Sequence, residues 1–77
     1  MKTVHRGPWA DSVDAAVSAA LAEVNVDVGE WTLLAYSDGY AAISPSDEWR
    51  IDIEVKYSEV RDQYQSILRR SAYSAVT

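Results

Sequence analysis

Residues 49–57 alternate strictly between apolar and charged side chains, and this pattern constrains the fold more than any other stretch. The apolar members are Trp49, Ile51, Ile53, Val55 and Tyr57, and the charged members are Arg50, Asp52, Glu54 and Lys56. Because successive side chains of a β-strand point to opposite faces, the pattern predicts a strand with one buried face and one wet face. The chain must therefore build a sheet whose apolar side is covered by other elements.

A β-hairpin is predicted before this strand. Residues 31–37 and 40–44 are rich in apolar and aromatic side chains and flank Asp38-Gly39. This dipeptide favours the positive φ angles of a two-residue hairpin turn. Together with residues 49–57, the hairpin predicts a three-stranded antiparallel meander.

The hairpin turn also predicts which side chains share a face. Pairing across Asp38-Gly39 places Leu34 opposite Ile43. We expect both to join Ile51 on the buried face of the sheet. A slip of one residue would place Arg50 on that face instead.

Helices are predicted on either side of the meander. The first has Asp11 or Ser12 as its N-cap and ends near Asn25. Its apolar stripe follows helical spacing and comprises Val13, Ala16, Val17, Ala20, Leu21 and Val24. The second begins at Ser58 and ends near Arg70, with a stripe of Val60, Tyr64, Ile67 and Leu68.

The predicted fold class is α+β: a helix, a three-stranded antiparallel meander and a helix, with both helices on one sheet face. Residues 1–10 are predicted to form an N-terminal arm, in which Gly7-Pro8 breaks a brief edge strand. Residues 11–71 form the single α-β-β-β-α domain, and residues 72–77 form a C-terminal tail. The charged sheet face stays open to solvent or to a partner.

Charge and composition disfavour several function classes. Twelve acidic residues against seven basic ones give a formal net charge of −5, which repels phosphate backbones and disfavours direct nucleic-acid binding. No apolar run approaches the roughly 20 residues that span a membrane. The chain has no cysteine, so disulfides and thiolate metal sites are excluded. We expect a cytoplasmic protein with no membrane partner.

The titratable residues do not form an enzyme motif. The single histidine, His5, lies in the predicted arm, away from any nucleophile. Asp52 and Glu54 are two apart on one strand face, but Arg50 and Lys56 bracket them. Alternating charges on an exposed strand are typical of a solvated surface. We therefore expect no catalytic residues, no metal site and no cofactor.

The predicted order of elements resembles the double-stranded-RNA-binding domain over residues 11–70. That family carries a lysine cluster at the start of its second helix, which grips phosphates across a groove. Here the corresponding residues 58–63 include the acidic Glu59 and Asp62. The resemblance implies a shared fold, and these acidic residues disfavour the RNA-binding function of that family. A domain of this fold that binds nucleic acid is the third alternative for the function.

In size, acidity and surplus of Trp and Tyr, the chain also resembles small phage-encoded anti-defence proteins of the anti-CRISPR type. It carries three Trp and five Tyr but no Phe, and Trp and Tyr are enriched at interfaces. The resemblance implies an inhibitor that occupies a surface of a nucleic-acid-handling defence complex in the host cytoplasm.

We therefore predict a binding inhibitor or adaptor that docks on a protein complex with a basic surface. The partner-binding residues expected around the open sheet face are Asp38, Tyr40, Asp47, Glu48, Trp49, Asp52 and Glu54. The alternative is a structural or self-assembling protein, such as a homodimer, because a three-stranded sheet has open edges.

Overall fold

The computed structural model describes residues 3–27, 29–37 and 39–73. In chain order the elements are β1 (Thr3–Ala10), α1 (Val13–Glu23), β2 (Thr32–Tyr36), β3 (Gly39–Ile43), β4 (Trp49–Ser58) and β5 (Gln63–Ala72). The described strands form one antiparallel sheet in the order β1-β5-β4-β3-β2, and α1 packs on β1, β5 and β4. The predicted α-β-β-β-α order is therefore wrong, because the arm and the second helix are both strands. We term the sheet face under α1 the helix-side face and the opposite one the outer face.

The segment predicted as the second helix forms the central strand β5. Val60, assigned to a buried helical stripe, lies instead in the β4–β5 turn and is 98% exposed. Asp62 ends that turn in a left-handed conformation with φ 51°. Ser66, Ile67 and Leu68 are buried in succession, because β5 lies between β1 and β4. A strand buried on both faces lacks the alternation that identifies β4.

Strand β1 occupies the predicted arm and continues through Gly7 and Pro8, which we expected to break it. Its register against β5 shifts between Arg6 and Trp9. Pro8 falls inside this irregularity, where a missing N–H donor is tolerated. Gly7 is buried, and an added Cβ would stand 2.5 Å from the Cβ of Ala20. Glycine therefore allows α1 to approach β1 closely.

The first helix is confirmed, together with both of its ends. Ser12 is the N-cap, and its Oγ accepts a hydrogen bond from the backbone N–H of Ala15. Asn25 adopts φ 61° beyond the C-cap, and the N–H of Val26 donates to the carbonyl of Leu21. This is a Schellman ending. The buried face holds the centre of the predicted stripe: Ala16, Val17, Ala20 and Leu21.

The hairpin of β2 and β3 is present, but its register differs from the prediction. Leu34 pairs with Ala41, and Tyr36 pairs with Gly39. Gly39 therefore belongs to β3 and not to the hairpin turn. The close approach of β3 to β4 accounts for a glycine at its first position: an added Cβ on Gly39 would stand 2.4 Å from the carbonyl oxygen of Ile53.

The pairing of β3 with β4 corrects the predicted buried face. Ala41 pairs with Asp52 and Ile43 pairs with Arg50, so these side chains share the outer face, where Ala41 and Ile43 are nevertheless buried. The helix-side face instead takes Tyr40, Ala42, Ile51 and Ile53. Strand β3 carries apolar side chains on both faces, and its own pattern therefore does not specify which face is buried.

The core lies between α1 and the strands beneath it. Its buried members are Val17, Ala20, Leu21, Val26, Ala42, Ile51, Ile53 and Leu68. Among the described residues no Cα atom of α1 lies within 8 Å of a Cα atom of β2 or β3, and every residue of β2 is exposed. In the described part of the chain, no helix has the length and apolar character needed to cross a membrane.

Candidate functional site

An open groove of about 500 Å³ lies on the outer face of the sheet. The side chains that line it and project outward are Tyr36, Arg50, Asp52, Glu54 and Arg69, which we term the outer groove. The even positions of β4 point outward because Ile51, Ile53 and Val55 pack on the core side. Arg69 lies directly opposite Asp52 on the neighbouring strand.

Both carboxylates of the outer groove are paired with guanidinium groups. Arg50 Nε donates to Asp52 Oδ1 at 2.9 Å, and Arg69 Nη1 donates to Glu54 Oε1 at 2.9 Å. The hydrogen bond to Asp52 raises the pKa of Arg50, against a smaller opposing effect of burial. These four side chains are 31–52% exposed. The predicted acidic face is therefore neutralised locally by two neighbouring arginines.

Tyr36 gives the outer groove an aromatic wall. Its side chain is 49% exposed, and the Cζ atom of Arg50 lies 5.8 Å from the ring centroid. This distance is within cation–π range. Sequence reasoning missed Tyr36 as a surface residue, since it placed the hairpin with the wrong face inward. The charged positions of β4 correctly indicate its outer face. Because β3 is apolar on both faces, its pattern does not indicate which side chains of β2 lie on that same face.

The structure keeps Asp52 and Glu54 together. Tyr40 also lines their groove, but the strand register assigns the side chains of Tyr40 and Trp49 to the opposite sheet face. Tyr40 lies on the helix-side face and packs partly buried against the core. Trp49 also belongs to that face and is 39% exposed. The Cζ atom of Arg70 lies 4.4 Å from a ring centroid of Trp49. Neither aromatic side chain shares the outer face with the two carboxylates.

The remaining predicted residues lie in the connections between strands. Asp47 and Glu48 are exposed in the β3–β4 turn, where Asp47 has φ 60°. The backbone N–H groups of Glu48 and Trp49 donate to Ser44 Oγ at 3.2 and 3.0 Å, and this closes the turn. Asp38 lies outside the described residues. The other six predicted positions, all of them described, therefore do not form one continuous patch.

A second depression, of about 420 Å³, lies near the end of α1. Its lining residues are His5, Val24, Asn25, Val26, Trp31, Ile51, Leu68 and Arg70. His5 Nε2 lies 2.8 Å from Glu23 Oε1. The residues that line this depression include no serine or threonine, and Glu23, which contacts His5, is not among them.

A third exposed group lies at the far end of the β4–β5 hairpin. The rings of Tyr57 and Tyr64 pack with centroids 5.1 Å apart and an interplanar angle of 49°. The Tyr57 hydroxyl donates to Asp62 Oδ1 at 2.6 Å, which raises the pKa of Tyr57. These contacts hold the hairpin end together and leave Val60 projecting beyond it.

Neither a metal site nor a similarity to known proteins assigns a function to this chain. Over residues 3–27, 29–37 and 39–73, no three histidine or carboxylate side chains cluster to hold a metal ion. The likeness to the double-stranded-RNA-binding domain is lost with the second helix, since residues 63–72 form β5. No protein-family model matches the chain, and no curated protein or solved structure shows significant similarity to it.

Proposed function

We propose that this chain is a non-enzymatic protein-binding domain, an inhibitor or adaptor, which engages a protein complex through the outer groove. The observation that carries the proposal is the position of α1, which covers the opposite sheet face and leaves the outer groove accessible. Tyrosine and arginine are the residue types in which binding energy concentrates at protein interfaces. The outer groove contains Tyr36, Arg50 and Arg69 together.

The pairing in the outer groove favours binding over catalysis. Asp52 and Glu54 accept hydrogen bonds from arginines that are themselves partly exposed. Exposed ion pairs contribute only about 0–1 kcal/mol, since water screens them. A basic group of a partner can therefore replace Arg50 or Arg69 at low cost. The two carboxylates thus remain available for recognition.

The charge of the whole chain favours a partner with a basic surface. The net charge is −5, and exposed Asp47 and Glu48 add negative charge at the β3–β4 turn. Opposite charges accelerate the encounter of two proteins. Complexes that hold nucleic acid carry basic surfaces of this kind. A host defence complex of that type, in the cytoplasm, is the partner that we propose.

Two charge-matched double variants test the outer groove. Asp52→Asn/Glu54→Gln and Asp47→Asn/Glu48→Gln remove the same charge from two different places. The partner is first identified by affinity capture from the native cells, and its affinity for each purified variant is then measured. We expect Asp52→Asn/Glu54→Gln to weaken binding by about tenfold or more, and Asp47→Asn/Glu48→Gln to weaken it less.

Two results would contradict binding through the outer groove. Equal weakening by both variants would indicate an effect of net charge alone, without a specific surface. Unchanged affinity in Asp52→Asn/Glu54→Gln would rule out the outer groove as the binding site. Raising the salt concentration from about 0.1 M to about 0.5 M should weaken the wild-type complex. An affinity that does not change with salt would contradict the proposed attraction to a basic surface.

A further inference from the structure

Strand β2 is an edge strand whose whole length is exposed. It pairs with β3 on one side, and no described strand pairs with its other side. Its side chains are exposed on both sheet faces, at 45% for Leu33, 38% for Leu34 and 49% for Tyr36. An exposed apolar edge of this kind is a template for pairing with another strand.

The opposite edge of the sheet is protected against such pairing. Strand β1 carries His5 and Arg6, an irregularity between Arg6 and Trp9, and Pro8, which has no N–H donor. Each of these features blocks edge-to-edge association. Residues 31–37, which include β2, contain no charged residue and no proline. The two edges therefore differ in the way expected if only β2 has a strand partner.

We propose that β2 pairs antiparallel with β2 of a second copy of this chain and joins the two sheets into one. A two-fold axis at the strand centre places Leu34 opposite Leu34 of the second copy. Leu33 then faces Ala35 of the second copy. In such an isologous contact a charged residue on the axis would meet its own like charge in the second copy. The absence of charge from residues 31–37 removes that penalty, and this self-complementarity identifies the second copy as the occupant.

The position of α1 leaves room for this pairing on both faces. Among the described residues no Cα atom of α1 lies within 8 Å of one in β2 or β3, so the helix backbone does not lie over β2. Leu33 can therefore pack against the second copy on the helix-side face, and Leu34 and Tyr36 can pack against it on the outer face. The paired strands have five residues in each copy, whereas stable interfaces use about 20–30 residues a side. We therefore expect a weak dimer in equilibrium with monomer.

Sedimentation velocity on the full chain tests the proposal with charge variants at the axis. The wild type, measured from about 5 μM to about 1 mM, should shift from monomer to dimer with concentration. Leu34→Lys and Leu34→Glu should each weaken the dimer by about tenfold or more, because like charges meet at the axis. An equimolar mixture of the two variants should dimerise again.

Val4→Lys is the matched control, since Val4 is an exposed apolar residue of the other edge strand, at 54% exposure. This variant should dimerise like the wild type. A wild type that stays monomeric over the whole range overturns the proposal. Dimerisation of Leu34→Lys at wild-type strength also overturns it.

Nuclear Overhauser contacts between the Leu34 methyl groups of labelled and unlabelled copies would confirm the pairing without any substitution, and contacts from another strand would contradict it.

Discussion

The contact between Gly7 and Ala20 sets how closely α1 lies on the sheet. Both residues are buried, and an added Cβ on Gly7 would stand 2.5 Å from the Cβ of Ala20 and 3.0 Å from its Cα. Real Cβ atoms do not approach so closely, so any larger residue must push strand and helix apart. Packed interiors resist such shifts, because they are as dense as organic crystals.

Gly7→Ala should therefore destabilise the protein. Overpacking of a core contact costs about 1–3 kcal/mol, and the lower entropy of the unfolded chain returns only about 0.4–1 kcal/mol. Urea unfolding of the variant measures the difference. Gly29→Ala is the matched control, because an added Cβ there meets only the end of the Asp27 side chain at 3.2 Å. Equal stabilities of the two variants would show that the packing of β1 on α1 is loose.

Among the elements, α1 and the strands β2, β3 and β4 were predicted with the correct type, whereas β5 was predicted as a helix and β1 as an arm with only a brief strand. The strict alternation of β4 and the helical spacing of α1 both identify their elements, and each is confirmed. Strand β5 is central, and its buried run of Ser66, Ile67 and Leu68 is compatible with either a strand or a helix. Only tertiary pairing with β1 and β4 decides between them.

The residues of the outer groove were also predictable from the sequence only in part. The exposed position of Asp52 and Glu54 follows from the alternation of β4, and the structure places both on the outer face. Arg69 joins them only because β5 is a strand that pairs with β4. Tyr36 joins them through the register of β3, which has apolar side chains on both faces. These two groove residues depend on long-range pairing that local patterns do not encode.

The Schellman ending of α1 predicts how substitutions of Asn25 change stability. Asn25 adopts φ 61°, a left-handed conformation that costs about 1–2 kcal/mol for most residues. Asn25→Ala should therefore lower the free energy of unfolding by about 1 kcal/mol. Asn25→Gly should equal or exceed the wild type, since glycine adopts this conformation freely. Thermal unfolding of both variants checks the ranking, and the reverse order would exclude the left-handed ending.

For the whole molecule, the main feature is uneven covering of the sheet. The helix packs over β1, β5 and β4, while β2 stays exposed along its length. The described part is elongated, with extents of 44 × 23 × 22 Å. Local stability follows buried apolar contact. Stability should therefore fall across the sheet from β5 and β4 towards β2.

Amide hydrogen exchange measures this gradient directly. At low protein concentration, the slowest amides should lie in β4 and β5 and the fastest strand amides in β2. Protection in β2 should increase with protein concentration, because pairing with a second copy would bury the free edge. Uniform protection over all strands would contradict the uneven covering, and protection of β2 that does not vary with concentration would argue against self-pairing.

The adjacency of β1 and β5 has a consequence for how the chain folds. These strands lie at opposite ends of the described sequence, yet Thr3 pairs with Arg70. Until β5 has been synthesised, β1 has no neighbour in the sheet and α1 lacks a central part of the surface on which it packs. Such distant pairing slows folding and makes the early elements depend on the latest one. The sheet should therefore form as a single cooperative unit after β5 leaves the ribosome, rather than strand by strand during translation.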